Sequence, residues 1–115
     1  MHNLVKTLSE VQNVDDTNFE EFVSGNGIAV LDFSADWCMP CKMMAPVFSS
    51  LAKEMDGAAR FGRVDVDQAR RLSGRFDIRG VPTFVFLKNG EIEGRIVGMT
   101  RKSQIKSRID SLLNA

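Results

Sequence analysis

The stretch that decides the fold is Ile28-Ala29-Val30-Leu31-Asp32-Phe33-Ser34-Ala35-Asp36-Trp37-Cys38-Met39-Pro40-Cys41-Lys42. Its first part, Ile28–Phe33, is short and almost continuously apolar, the pattern of a strand covered on both faces. Asp32 is the one charge inside that run. The period then changes. From about Cys41 to Met55 a helical stripe runs through Met44, Val47, Phe48, Leu51 and Met55. Pro40 suits a first helical turn, where its missing N–H is not needed. Pro46 lies inside the stripe and is expected to kink the helix, and Gly57 can end it. A buried strand feeding straight into a helix indicates α/β architecture, and the strand's carboxyl end is where such folds build sites.

Outward from this segment the chain keeps alternating. Thr17-x-x-Glu20 has the form of a capping box ahead of Phe19, Phe22 and Val23, and Gly25-Asn26-Gly27 stops that helix. Arg60–Asp67 alternates through Phe61, Val64 and Val66 as a strand does. Gln68–Phe76 reads as a short helix with Leu72 and Phe76 on one side. Thr83–Leu87 is β-branched, aromatic and apolar. Lys88-Asn89-Gly90-Glu91 is a hairpin signal, and Ile92–Val97 is the return strand. Thr100 is placed to cap a last helix striped by Ile105, Ile109, Leu112 and Leu113. Val11–Val14 reads as an edge strand within a short extension, residues 1–14. The order β-α-β-α-β-α-β-β-α predicts a mixed sheet between helices, in one domain covering residues 1–115.

Composition agrees with this and excludes other classes. The 115 residues are 43% hydrophobic and 26% charged, which is ordinary globular usage. Fifteen Lys and Arg balance fifteen Asp and Glu, so the strong basic excess of a nucleic-acid binder is missing. No apolar run approaches membrane-spanning length. The first ten residues lack a signal-peptide core and a cleavage site, so a cytoplasmic chain is expected. A monomer is the default at this size. Charge is nonetheless uneven: residues 1–59 hold three Lys against nine acids, and residues 60–115 hold twelve Lys and Arg against six. Such a pattern is an ordinary solvated face or a surface that prefers acidic partners.

Cys38 and Cys41 are the only cysteines, three positions apart, and three readings of them stand side by side. A structural disulfide closing so short a loop constrains the unfolded chain by only about 2 kcal/mol. A zinc or iron–sulfur site needs about four ligands, and the chain adds only His2 to the two thiols. A reversible dithiol fits the placement. Cys38 at a helix start meets unpaired N–H groups and the positive end of the helix dipole, which favour thiolate, and Cys41 follows one turn later.

With Trp37-Cys38-Met39-Pro40-Cys41-Lys42 come Pro46, Val64-Asp65-Val66-Asp67, Phe76-Asp77-Ile78-Arg79-Gly80-Val81-Pro82-Thr83-Phe84, Lys88-Asn89-Gly90 and Gly98. In this order the sequence resembles the thioredoxin family over almost all of the chain after residue 15. The resemblance implies a thioredoxin fold, α/β with a central mixed five-stranded sheet flanked by four helices, and no cofactor or metal beyond the Cys38–Cys41 pair. It implies a protein-disulfide reductase recycled by thioredoxin reductase and acting on disulfide-containing client proteins, with no nucleic acid and no membrane as partner.

Residue roles follow from the same resemblance. Cys38 is the exposed nucleophile, and Cys41, more buried, resolves the mixed disulfide. Asp32, desolvated and with its pKa raised, exchanges a proton with Cys41, whereas a strand-end carboxylate facing water would not. Pro82 is the family's cis proline; from sequence alone a trans bond would be the default. Backbone groups at Val81 are left to pair with an extended substrate. Trp37, Met39, Pro40, Val81, Pro82 and Gly98 form the substrate-binding surface, although Trp37 read alone is an ordinary core residue.

Three departures stand out. Met39 occupies a position where relatives commonly carry Gly, which adds oxidisable apolar bulk beside the attacking sulfur. Ser34 stands where many relatives have an aromatic residue, leaving one wall of the site thinner. Arg63 stands where relatives often have Lys, and an arginine keeps its charge permanently. Two other uses of the same fold remain: an oxidant or isomerase, suggested by Met39, and a binding module in which the cysteines are incidental.

Overall fold

The computed structural model describes residues 10–115, so His2 and the first nine residues of the expected 1–14 extension lie outside the described residues. Five strands, β1 (Gln12–Asn13), β2 (Ile28–Ser34), β3 (Ala59–Asp65), β4 (Thr83–Lys88) and β5 (Glu91–Val97), form one sheet in the order β1-β3-β2-β4-β5. β1, β3 and β2 are parallel, while β4 runs antiparallel to β2 and β5 antiparallel to β4. Four helices accompany them: α1 (Phe19–Val23), α2 (Met39–Glu54), α3 (Arg70–Arg75) and α4 (Lys102–Leu113). The expected mixed five-stranded sheet with four helices is the architecture found.

β2 is the centre of the sheet because every one of its seven residues is buried. Period-two alternation splits its side chains between two cores. Ala29, Leu31 and Phe33 join Phe19 and Phe22 of α1 and Leu72 of α3 on one face. Ile28 and Val30 join Met44, Phe48 and Leu51 of α2 and Ile105 and Ile109 of α4 on the other. By the same alternation Asp32 lies on the α2 side, one residue pair beyond Val30. Gly62 of β3 is obligatory for a packing reason. A Cβ there would stand 2.7 Å from Val14 Cγ2 and 3.0 Å from Phe22 Cζ.

Local chemistry sets the ends of the elements, and here several expectations change. The Thr17–Glu20 capping box does not form. Asp15, two residues earlier, accepts from Thr17 N (2.9 Å), Thr17 Oγ1 (2.6 Å) and Asn18 N (3.2 Å), and Glu20 pairs with Arg75. A charged oxygen within a tight turn outcompetes the hydroxyl. α3 is also shorter than Gln68–Phe76, because Gln68 N and Ala69 N bond to the Asp65 carbonyl in a turn. Its N-terminus is capped from far away: Asp16 Oδ1 accepts from Leu72 N at 2.8 Å. Thr100 caps nothing; α4 starts after Arg101 with no side-chain cap. α2 begins at Met39, two residues before the expected Cys41, and runs through Pro46 as one helix. The hairpin is as read, with Asn89 at φ 52° and Gly90 at φ 84°. The edge strand is present as β1, pairing in parallel with β3.

Candidate active site

The site forms where the buried carboxyl end of β2 turns into α2. Cys38 is the N-cap of α2, and its sulfur accepts from Cys41 N at 3.2 Å. Pro40 sits in the first turn and needs no partner for its ring nitrogen. Cys38 and Cys41 are joined as a disulfide, with Cα atoms 5.3 Å apart. The two sulfurs pack with Ala35, and Val66 and Val81 lean on them.

The expected contrast between an exposed Cys38 and a buried Cys41 is not found in this closed form, where both are buried, at 5% and 4% exposure. The asymmetry lies in their neighbours. Cys38 is flanked by Trp37 and Met39, 70% and 65% exposed, whereas Cys41 is enclosed in the helix. Cys38 Sγ lies 3.7 Å from the Val81 carbonyl oxygen. Only a free thiol could donate across that gap, so the contact becomes a hydrogen bond only when the disulfide opens.

Val81–Pro82 is cis, as the resemblance implied. Pro82 is buried, and its carbonyl accepts from Gly98 N at 2.7 Å. Gly98 holds φ at 89°, a conformation that glycine adopts without cost. The segments around residues 38, 81 and 98 therefore meet at one end of the sheet. Trp37 is not a core residue; its indole N–H donates to Asp67 Oδ2 at 2.9 Å and its ring faces outward. Sequence reasoning missed three more exposed apolar side chains close by in the chain: Met43, Val97 and Met99. Met43 was detectable, standing one helical turn from Met39 on the same face. Val97 and Met99 carry no local signal: only the β5–β4 pairing brings Val97 to Thr83, and Met99 follows Gly98, whose N–H bonds to the Pro82 carbonyl.

Asp32 is fully buried, which removes the reading of a solvent-facing strand end. It pairs in register with Arg63 of β3, whose Nε stands 3.5 Å from Asp32 Oδ2. That is an ion pair without a well-formed hydrogen bond, and both carboxylate oxygens are left without a donor among the described residues. Burial pushes the Asp32 pKa up to about 6 from 3.8, against the opposing pull of the Arg63 charge. The Arg63 guanidinium also lies over the Phe48 ring, 6.0 Å from its centre. Ser34, the last residue of β2, borders a groove of about 340 Å³ with Ala35, Asp36, Asp65 and Gln68. Among the described residues no cluster of three or more His, Cys, Asp or Glu could hold a metal, and no helix is long and apolar enough to cross a membrane.

This geometry has close counterparts. The thioredoxin family model matches residues 10–111. A chloroplastic M-type thioredoxin of Spinacia oleracea is 38% identical over 110 residues, covering 95% of this chain and 61% of the relative. This chain thus spans under two thirds of that protein, and 63% of its Pisum sativum counterpart. The thioredoxin of Haemophilus influenzae is 38% identical over 104 residues, covering 90% of this chain and 97% of the relative. Among solved structures, a mutant thioredoxin from Halobacterium salinarum superposes with a TM-score of 0.86 at 34% identity, covering 93% of this chain and 94% of that one. A short form of thioredoxin F from spinach chloroplast gives 0.85 at 29% identity, over 95% and 97%. With a matching fold, a matching family model over nearly every described residue and the cysteine pair at the head of α2, the chain belongs to the thioredoxin family.

Proposed function

We propose that this chain is a protein-disulfide reductase, working by dithiol–disulfide exchange between Cys38–Cys41 and the disulfides of client proteins. The observation that carries the reading is the disulfide at the N-terminus of a 16-residue helix, with Cys38 as its cap. In the reduced protein the Cys41 N–H and the helix dipole favour a Cys38 thiolate. That thiolate attacks one sulfur of a client disulfide, and the other client sulfur leaves as thiolate and takes a proton. Cys41 gives its proton to a base, attacks Cys38, and releases the second client thiol. The client gains two electrons and two protons, and the disulfide described here is the product. Asp32 is assigned as the base, since a carboxyl with a pKa of about 6 is largely ionised at neutrality and binds a proton more readily than an ordinary carboxylate. Trp37, Met39, Pro40, Val81, Pro82 and Gly98 are assigned to client docking, with the Val81 backbone pairing to an extended client segment.

Thioredoxin reductase is the proposed electron donor. The proposed setting is a reducing compartment such as the cytoplasm, where permanent disulfides are rare and a dithiol can be kept reduced. The test is insulin reduction driven by dithiothreitol, with Cys38→Ser as the control. The wild type should exceed that variant at least tenfold, and equal rates would reject the reading.

A further inference from the structure

Of the five methionines among the described residues, Met44 and Met55 are buried in the core. The other three, Met39, Met43 and Met99, are 65%, 58% and 53% exposed, and all belong to the segments that build the site. Met39 is the first residue of α2 and directly follows Cys38. Its thioether is thus presented to solvent while the neighbouring sulfurs are joined to each other.

We infer that Met39 is a modification site, converted to its sulfoxide by a hydroperoxide once the dithiol is spent, and that this conversion weakens client docking. The inference rests on the proposed reductase function and adds a mode of regulation to it. The order of events follows from nucleophilicity. In the dithiol form a Cys38 thiolate is the stronger nucleophile and consumes the oxidant, ending as the disulfide. In the disulfide form no thiolate remains, and the exposed Met39 sulfur takes the next equivalent. That sulfur attacks one peroxide oxygen, the O–O bond breaks, and an S–O bond forms. The departing oxygen takes up the proton carried by the transferred oxygen and leaves as water from hydrogen peroxide, or as an alcohol from an organic hydroperoxide. The sulfur loses two electrons and the peroxide gains them. A flexible apolar side chain becomes a polar one at the rim that apolar client residues must cover. Met44, one position past Met43 but packed in the core, is shielded from the same reagent.

The experiment treats the disulfide form with hydrogen peroxide, removes the excess with catalase, and maps sulfoxides by peptide mass spectrometry. Insulin reduction is then measured, each protein being compared with its own untreated form. The expected result is a Met39 sulfoxide and an insulin KM raised about three- to tenfold, the loss of roughly one apolar contact, with kcat nearly constant. Methionine sulfoxide reductase should restore the original KM. Met39→Leu should abolish the response to peroxide, whereas Met43→Leu and Met99→Leu should keep it. Met39→Gln should show a raised KM before any treatment. With the protein reduced and peroxide limiting, disulfide should appear before sulfoxide. The inference is overturned if Met39 stays unmodified while Met43 and Met99 react, if Met39→Leu responds like the wild type, or if sulfoxide precedes disulfide. It is also overturned if the modified protein keeps its KM. An untreated wild type no faster than Cys38→Ser would instead reject the reductase function itself.

Discussion

Arg63 Nε faces Asp32 Oδ2 across neighbouring strands at 3.5 Å, yet among the described residues neither oxygen of that buried carboxylate has a hydrogen-bond donor. The charge is paired and still under-solvated, so desolvation outweighs attraction and the carboxyl titrates near 6 rather than 3.8. A raised carboxyl pKa costs stability where the group is ionised. Below about pH 4 both the folded and the unfolded chain hold the proton, and Asp32 costs nothing. As pH rises towards 6 the unfolded chain releases its proton first and stability falls. Above that the full penalty, on the order of 3 kcal/mol, is present. Asp32→Asn should therefore gain about 1–3 kcal/mol at pH 8 and almost nothing at pH 4. Urea unfolding at the two pH values measures this, and an equal gain at both would refute the account.

Arg63 acts in the opposite direction to burial, so its removal has a definite sign. Arg63→Gln should raise the Asp32 pKa further, because only desolvation would remain. Arg63→Lys should leave it nearer the wild-type value, since a cation is retained. Carbon-13 titration of the Asp32 carboxyl group distinguishes these outcomes. A pKa that falls in Arg63→Gln would mean that the guanidinium is not the stabilising charge.

Much of this arrangement was legible because it depends on local pattern. The Ile28–Phe33 run could be read as a central strand because full burial on both faces leaves no polar alternation to confuse it. Asn89-Gly90 declared its hairpin because both positions take positive φ. What escaped depends on distance in sequence. Asp16 caps α3 from 56 residues away, and no local motif announces such a bond. The Thr17 capping box failed because Asp15 offered a charged competitor just upstream. The burial of Cys38 follows from the approach of Val81, which only the folded chain brings to it.

Two glycines test packing with opposite signs. Gly62→Ala should destabilise by about 1–3 kcal/mol, since the added methyl meets Val14, Phe22 and Leu31 at 2.7, 3.0 and 3.1 Å in a filled core. Gly74→Ala, in α3 with nothing within 4 Å of the new methyl, should stabilise by about 0.5–1 kcal/mol through helix propensity. Urea midpoints report both. If the first were neutral, the α1 side of the sheet would have to be more loosely packed than described.

The Trp37–Asp67 hydrogen bond separates docking from folding. Trp37 is the only tryptophan, and its mostly exposed ring is fixed at one end by the 2.9 Å bond to Asp67 Oδ2. An exposed bond of this kind adds little to stability, about 1 kcal/mol or less. Under the proposed function its effect is to hold a large apolar surface in one orientation beside Cys38, so that the ordering entropy would be spent before a client arrives. Asp67→Ala should thus leave the urea midpoint almost unchanged while the indole becomes free to rotate. Tryptophan anisotropy should fall, and the KM for insulin should rise about two- to fivefold with little change in kcat, as expected for lost pre-organisation rather than lost chemistry. A variant with freed indole motion and an unaltered KM would show that clients do not need the ring held, and Trp37 would then have to be removed from the docking surface.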